Sequence, residues 1–193
     1  SSDVCSSDLL RLVTLVMKDM NLDPKRYNSR AIASLISDAK NELMGPADFA
    51  QTVKNQFDEI VAEVFTHYQK RLTTANAMDF DDLIGRTVEL FQRHPEVRAK
   101  YRSRFKHILV DEYQDTNHAQ YVLIRELVGV TYDGFPQAEL CVVGDSDQSI
   151  YAFRGANIRN ILQFEDDFTD ATTILLEQNY RSTQNIQIGR AHV

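Results

Sequence analysis

The sequence has few of the residues that mark specialised classes of protein. Among 193 residues it has 2 cysteines, 7 glycines, 4 prolines and no tryptophan. Two cysteines do not make a disulfide framework, and Cys141, in "ELCVVGD", is typical of a small core residue of a strand. The chain has neither a run of about 18 apolar residues nor a charged start followed by an apolar segment and a cleavage site. We therefore expect no membrane span, no secretory signal and a cytoplasmic location.

The chain also has fewer basic than acidic residues. The 21 lysines and arginines face 28 aspartates and glutamates, which leaves a formal net charge of −7. This balance argues against a general basic coat, although nucleic-acid binding needs only a local basic or aromatic groove. The basic run "RAKYRSRFKH" (98–107) fits two interpretations, a phosphate-binding patch or a solvated helix face.

Both ends of the chain look foreign to the rest. Residues 1–9, "SSDVCSSDL", and 188–193, "IGRAHV", resemble translated reading frames of sequencing adapters. We leave both out of the fold prediction and expect an interior piece of a longer protein. The alternative is that they are genuine, poorly ordered termini.

The first third of the chain predicts a small helical subdomain over residues 10–75. Turn residues in "NLDPKRYNSR" and "MGPAD" separate helical patterns. One apolar stripe is clear because its members recur at steps of three and four residues. They are Phe57, Ile60, Val61, Val64, Phe65, Tyr68 and Leu72.

The pattern changes over residues 76–176. Asp79 can cap a helix that runs to about Arg93, and Pro95 can begin another. Three short apolar runs follow, "HILV" (107–110), "LCVV" (140–143) and "TILL" (173–176), separated by the helical patterns "HAQYVLIRELV" and "NIRNILQF". Apolar strands that alternate with helices predict a parallel sheet covered on both faces, and hence an α/β fold.

The stretch "KHILVDEYQDTN" (106–117) carries the chemistry. Directly after a predicted buried strand it places four acidic or amide side chains, Asp111, Glu112, Gln114 and Asp115, where they can face a ligand. Nucleotide hydrolysis needs such a pair of carboxylates: Asp111 would hold Mg²⁺ and Glu112 would act as the base for the attacking water. An isolated "DE" dipeptide can equally begin a loop or cap a helix. The "DFDDL" segment resembles a metal cluster in composition, but carboxylates at a helix start also complement its dipole, and we assign it no site.

Three motifs in order identify a family resemblance. "VDEYQDTN", "VVGDSDQSIYAFRGA" (142–156) and "LEQNYRS" (176–182) closely resemble motifs II, III and IV of the UvrD/PcrA/Rep family of superfamily 1 DNA helicases. The resemblance spans nearly all of residues 10–186. It implies a partial RecA-like P-loop NTPase sheet, a helical subdomain on its N-terminal side, and the start of a second motor domain at 177–187.

The resemblance also implies site residues for ATP. Gln148 would contact the γ-phosphate, Tyr180 would stack on adenine, and Arg181 would be the arginine finger, worth about 10³–10⁵ in rate. The alternatives are an exposed loop glutamine for Gln148 and, judged from the residues alone, a surface arginine for Arg181.

DNA contacts are implied in the same way. Tyr151 and Phe153 would stack on unpaired bases, each for about 1–3 kcal/mol, and Arg154 would lie beside them. The alternatives are core packing for the two rings and a surface salt bridge for the arginine. The family more often has tryptophan at position 153, and phenylalanine offers a smaller ring.

The family's phosphate loop is absent from this sequence, whose glycines include no Gly-Lys-Ser or Gly-Lys-Thr. The resemblance thus implies a parent that is an ATP- and Mg²⁺-dependent 3′ to 5′ helicase acting on single-stranded and duplex DNA, and a fragment that is inactive alone. Two alternatives stay open: a helicase subunit of a helicase–nuclease, and a non-catalytic interaction domain on the same fold.

Overall fold

The structure is a computed structural model that describes residues 2–129, 137–144, 164, 168 and 170–176, with side chains from Leu9 onward. Residues 1–162 form one compact unit and residues 163–193 another. The described part of the first unit has seven α-helices, a 3₁₀ turn and two strands. They are α1 (Ser2–Asp19), α2 (Ser29–Asn41), α3 (Pro46–Gln51), α4 (Gln56–Thr74), α5 (Phe80–Arg93), α6 (Pro95–Arg102), β1 (His107–Val110), the 3₁₀ turn (Tyr113–Asp115), α7 (His118–Val128) and β2 (Glu139–Val142).

The helical first third is confirmed, and the predicted apolar stripe lies on α4. Phe65 and Tyr68 on this helix are 1% and 0% exposed. The stripe packs against α1 and α2, and the buried residues of this core are Val13, Val16, Met17, Ile32, Ala33, Ile36, Ala39, Val61, Val64, Phe65, Tyr68 and Leu72. Within the described residues, no helix combines the length and apolar character needed to cross a membrane.

The predicted starts of α5 and α6 are also confirmed. The Asp79 side chain accepts a hydrogen bond from the backbone N–H of Asp82 at 2.7 Å, and Asp82 accepts one in return from the N–H of Asp79 at 3.4 Å. This reciprocal cap satisfies two N–H groups that the first turn of a helix leaves without partners. Pro95 occupies the first turn of α6, where its missing N–H costs nothing.

A buried ion cluster joins α2, α4 and α5 and explains the acidic "DFDDL" segment. Lys40 Nζ lies 2.5 Å from Asp79 Oδ2 and 3.0 Å from Asp82 Oδ1, and all three side chains are at most 9% exposed. The Tyr68 hydroxyl donates to Asp79 Oδ2 at 2.6 Å. Burial, with the adjacent Asp79 next in effect, raises the pKa of Tyr68 far above its usual range, so it stays a donor. These carboxylates therefore hold helices together.

The basic run 98–107 is only partly solvated, because two of its arginines contact α7. Arg98 Nη1 donates to Glu126 Oε2 at 2.7 Å, and Arg102 Nε donates to the backbone oxygen of Glu126 at 2.7 Å. Arg102 is 4% exposed, and its burial lowers its pKa. Two of the basic side chains thus fasten α6 to α7, which the sequence pattern did not indicate.

The two strands form a parallel pair in which Leu109 is opposite Cys141. The strands are as predicted, except that β2 both begins and ends one residue earlier, but their burial was predicted wrongly. Leu109 is 78% exposed and Cys141 is exposed, while Ile108 and Val110 are half-buried. A parallel sheet is buried on both faces only when helices cover both, and here one face carries no cover from the described residues.

The third predicted strand, 173–176, is wrong. Residues 171–176 are neither strand nor helix, and Ile174, Leu175 and Leu176 are 79%, 76% and 85% exposed. A strand needs a hydrogen-bonded neighbour, and no described segment pairs with these residues. Of the predicted helix "NIRNILQF", all but Phe164 lies outside the described residues.

Candidate nucleotide site at the strand end

Asp111 and Glu112 follow β1 directly, and both are exposed. Backbone hydrogen bonds tie this strand end to the end of β2. The N–H of Val143 donates to the oxygen of Val110 at 2.8 Å, and the N–H of Tyr113 donates to the oxygen of Val143 at 2.9 Å. The residues directly before and after the two carboxylates, Val110 and Tyr113, are therefore both hydrogen-bonded to Val143, and the carboxylates between them face the surface.

Glu112 has an uncommon backbone conformation. Its φ of 49° and ψ of 45° lie in the left-handed region, which costs a non-glycine residue of order 1–3 kcal/mol. The following 3₁₀ turn maintains it, since the N–H of Asp115 donates to the oxygen of Glu112 at 2.9 Å. Strain of this kind clusters at functional sites. No sequence pattern signalled it, because glutamate is not a residue that favours this region.

Gln114 was predicted to face a ligand together with the acidic residues, and the structure corrects this. Its side chain is 3% exposed and lies beneath the loop, where Nε2 donates to Glu112 Oε2 at 2.6 Å. Asp115, by contrast, is exposed as expected. The four side chains therefore divide into three that reach the surface and one that supports a neighbour from inside.

Gly144, at the end of β2, leaves the space that Gln114 fills. A Cβ atom on Gly144 would lie 2.9 Å from Gln114 Oε1, closer than non-bonded atoms allow. This glycine therefore gives the Gln114 side chain its room, and its own backbone angle is not unusual. Sequence reasoning missed it, although its place in "VVGDSD", directly after a strand, was the available signal.

Asn117 closes the loop and starts α7. Its side-chain oxygen accepts from the N–H of Gln120 at 2.9 Å, and its Nδ2 donates to Asn41 Oδ1, at the end of α2, at 2.8 Å. Both asparagines are at most 7% exposed. The acidic loop is thereby connected to the helical core by a buried hydrogen bond across 76 residues of sequence.

The donor set fits Mg²⁺ bound together with phosphates. Asp111 Oδ1 accepts from the N–H of Glu112 at 2.9 Å, and its carboxylate is exposed at the strand end. Among the described residues, no group of three or more histidines, cysteines, aspartates or glutamates could hold a metal. Mg²⁺ in nucleotide sites is commonly bound by one or two carboxylates with phosphate oxygens and water, so a single exposed carboxylate such as that of Asp111 is compatible with a site of this kind.

The other predicted site residues lie outside the described residues. They are Gln148, Tyr151, Phe153, Arg154, Tyr180 and Arg181.

Comparison with known proteins assigns the family. The sequence profile of the UvrD/REP helicase N-terminal domain matches residues 4–169. The chain is 58% identical over 185 residues to ATP-dependent DNA helicase UvrD1 of Mycobacterium tuberculosis, with 94% of this chain and 24% of that protein covered. It is 50% identical over 181 residues to ATP-dependent DNA helicase PcrA of Bacillus subtilis, again with 94% and 24% covered.

The chain thus spans about a quarter of the length of these relatives. The range matched by the family profile spans both the strand-end loop and the helical core. The chain belongs to the UvrD/REP helicase N-terminal domain family.

Proposed function

We propose that this chain is part of an ATP-dependent DNA helicase and supplies one side of its ATP site. The observation that carries the proposal is the pair of exposed carboxylates at the end of β1, with Glu112 in a left-handed conformation. Relatives that bear the name ATP-dependent DNA helicase match nearly the whole chain and support it. The proposal includes a RecA-like arrangement of the sheet and a cytoplasmic location.

The two carboxylates take different parts in hydrolysis. Asp111 would hold Mg²⁺, and the metal would supply positive charge that offsets the negative charge of the nucleotide phosphates. Glu112 accepts the proton of the attacking water, and it directly follows Asp111 at the exposed strand end. The backbone bonds from Tyr113 and Val143 keep both carboxylates in position without closing the site to a ligand.

The remaining roles rest on the motif positions. Gln148 contacts the γ-phosphate, Tyr180 stacks on adenine and Arg181 stabilises transferred charge. Tyr151, Phe153 and Arg154 bind unpaired DNA, with the two rings stacking on bases. ATP turnover would then drive 3′ to 5′ movement on single-stranded DNA and separation of the duplex ahead.

A chimera tests the proposal. Residues 10–186 of this chain replace the matching segment of the M. tuberculosis UvrD1, and ATP turnover is measured with and without single-stranded DNA. We expect DNA-stimulated turnover, and Glu112→Gln should lower kcat by about 10²–10⁴, the usual worth of a general base. Glu89→Gln is the matched control, because Glu89 forms ion pairs with two exposed arginines of its own helix, Arg86 and Arg93.

A folded chimera that turns over ATP equally well with Glu112→Gln would reject the role of Glu112, and one that never responds to DNA would favour a non-catalytic interaction domain. The 193-residue chain alone should show no DNA-stimulated turnover, because it contains no Gly-Lys-Ser or Gly-Lys-Thr loop.

A further inference from the structure

Three features meet at Gln114. Its amide donates a short bond of 2.6 Å to Glu112 Oε2. Its side chain is 3% exposed, so the amide is held by its surroundings and not by solvent. The carboxylate that receives the bond belongs to a residue with a left-handed backbone, which turns its side chain away from the direction a normal strand exit would give.

We propose that Gln114 is a positioning residue that fixes the carboxylate of Glu112 for proton abstraction, with Gly144 leaving the room for its amide. The inference rests on the proposed function, because it takes Glu112 as the base. Gln114 itself touches neither nucleotide nor water in this role; it acts through Glu112.

An exposed glutamate needs such a partner. Its side chain has several rotatable bonds, and without a fixed contact the carboxylate would sample many positions around the strand end. A hydrogen bond from a buried amide holds one oxygen, and the other stays available to a water molecule. A misplacement of about 1 Å can cost about 10²-fold in rate, so this contact has a measurable kinetic value.

Gly144, which follows β2, leaves the space that the side chain of Gln114 occupies. The atom that a Cβ on residue 144 would meet is Gln114 Oε1, at 2.9 Å, and the backbone N of Gln114 lies farther away at 3.4 Å. Because a terminal side-chain atom moves more easily than backbone, Gly144→Ala is expected to displace the amide of Gln114 and leave the strand pairing intact.

The test is a double-mutant cycle in the chimera. Gln114→Leu keeps the volume and removes the donor. We expect kcat for DNA-stimulated ATP turnover to fall about 10- to 100-fold, with KM for ATP changed less than about two-fold, since the nucleotide contacts are untouched. In the Glu112→Gln background, Gln114→Leu should cause no further loss, because the two residues act as one unit.

Controls separate positioning from folding. Gly144→Ala should lower kcat in the same direction with KM unchanged. Gln92→Leu is the matched control: Gln92 also donates to a glutamate, Glu126, at 3.5 Å, but on the exposed surface between α5 and α7. It should retain full kcat. Unchanged kcat in Gln114→Leu, or an equal loss with and without the Glu112 carboxylate, would overturn the inference.

If the unsubstituted chimera shows no ATP turnover, the proposed function is rejected instead. A second measurement then tests whether the hydrogen bond between Gln114 and Glu112 exists. In the 193-residue chain, the side-chain amide protons of Gln114 should resonate at a shifted, hydrogen-bonded frequency by NMR. Glu112→Gln should move that resonance, whereas Glu89→Gln should leave it unchanged. A Gln114 amide resonance indifferent to Glu112→Gln would show that the bond is absent and overturn the inference.

Discussion

The helical core and the two-stranded sheet differ in how far their apolar side chains are buried. Among the described residues, the four largest side chains that are fully buried lie on α2 and α4; they are Tyr68, Phe65, Ile32 and Ile36. No fully buried large side chain of the described residues lies on β1 or β2. On the sheet, Leu109 is 78% exposed. The same kind of apolar residue is therefore hidden in one region and open in the other.

The difference arises from the range over which each element finds its partners. An amphipathic helix buries one stripe, and the next helices along the chain can cover that stripe. A parallel strand has two faces and two edges, and it needs other strands and helices on every side. Helical burial is hence a more local property of sequence than strand burial.

The largest effect expected from this comparison is on unfolding. Phe65→Ala should lower the free energy of unfolding by about 3–5 kcal/mol, because it leaves a cavity in the helical core. Leu109→Ala should change it by no more than about 0.5 kcal/mol, since the side chain is already in water. Urea unfolding of the 193-residue chain, followed by circular dichroism, measures both. Equal losses would refute the contrast.

An intermediate effect is expected at the link between the two regions. Asn117→Ala removes the cap of α7 and leaves Asn41 buried without that donor, so stability should fall by roughly 2–3 kcal/mol. Asn28 is the matched control, because it caps α2 from an exposed position. Its replacement by alanine should cost only about 1 kcal/mol. Indistinguishable losses would mean that the Asn41 contact adds nothing.

The smallest effect is a pH dependence within the helical core. Burial raises the pKa of Asp81, and the hydrogen bond from Ser37 partly opposes it. The pKa of Asp81 is higher in the folded chain than its ordinary value of 3.8. The free energy of unfolding therefore falls as the pH rises from the unfolded pKa to the folded pKa. Asp81→Asn should therefore stabilise the chain at neutral pH, by less than about 1 kcal/mol, and the gain should vanish in acid.

Thermal unfolding at a series of pH values checks this result. Ser37→Ala removes the bond that lowers the pKa, so it should steepen the loss of stability with pH in the original chain. In the Asp81→Asn background the same change should leave the pH slope alone. If Ser37→Ala also steepens the loss of stability with pH in the Asp81→Asn background, the titrating group is not Asp81.

Sequence reasoning found what depends on neighbours close in the chain. The stripe of α4, the cap at Asp79 and the strand that ends before Asp111 all follow from residues within one or two turns. It did not find the Asn41–Asn117 bond, because the partners are 76 residues apart. It also misjudged Cys141 and residues 173–176, because apolar composition does not reveal whether covering elements are present.

The strand-end site divides in the same way. The exposure of Asp111 and Glu112 followed from their place after an apolar run. The left-handed backbone of Glu112 and the inward direction of Gln114 depend on the turn geometry and on the space beside Gly144. Such details are set by tertiary contacts and have no periodic signature.

The buried Lys40 cluster has a consequence for experiments at different ionic strength. Its charges are at most 9% exposed, whereas Arg93 and Glu89 of a surface pair are 73% and 33% exposed. Mobile ions screen charges that face solvent much more than charges inside the protein. The attraction between protein and DNA phosphates, in contrast, falls steeply as salt rises. A salt titration should therefore weaken any DNA complex while this three-helix junction keeps its shape.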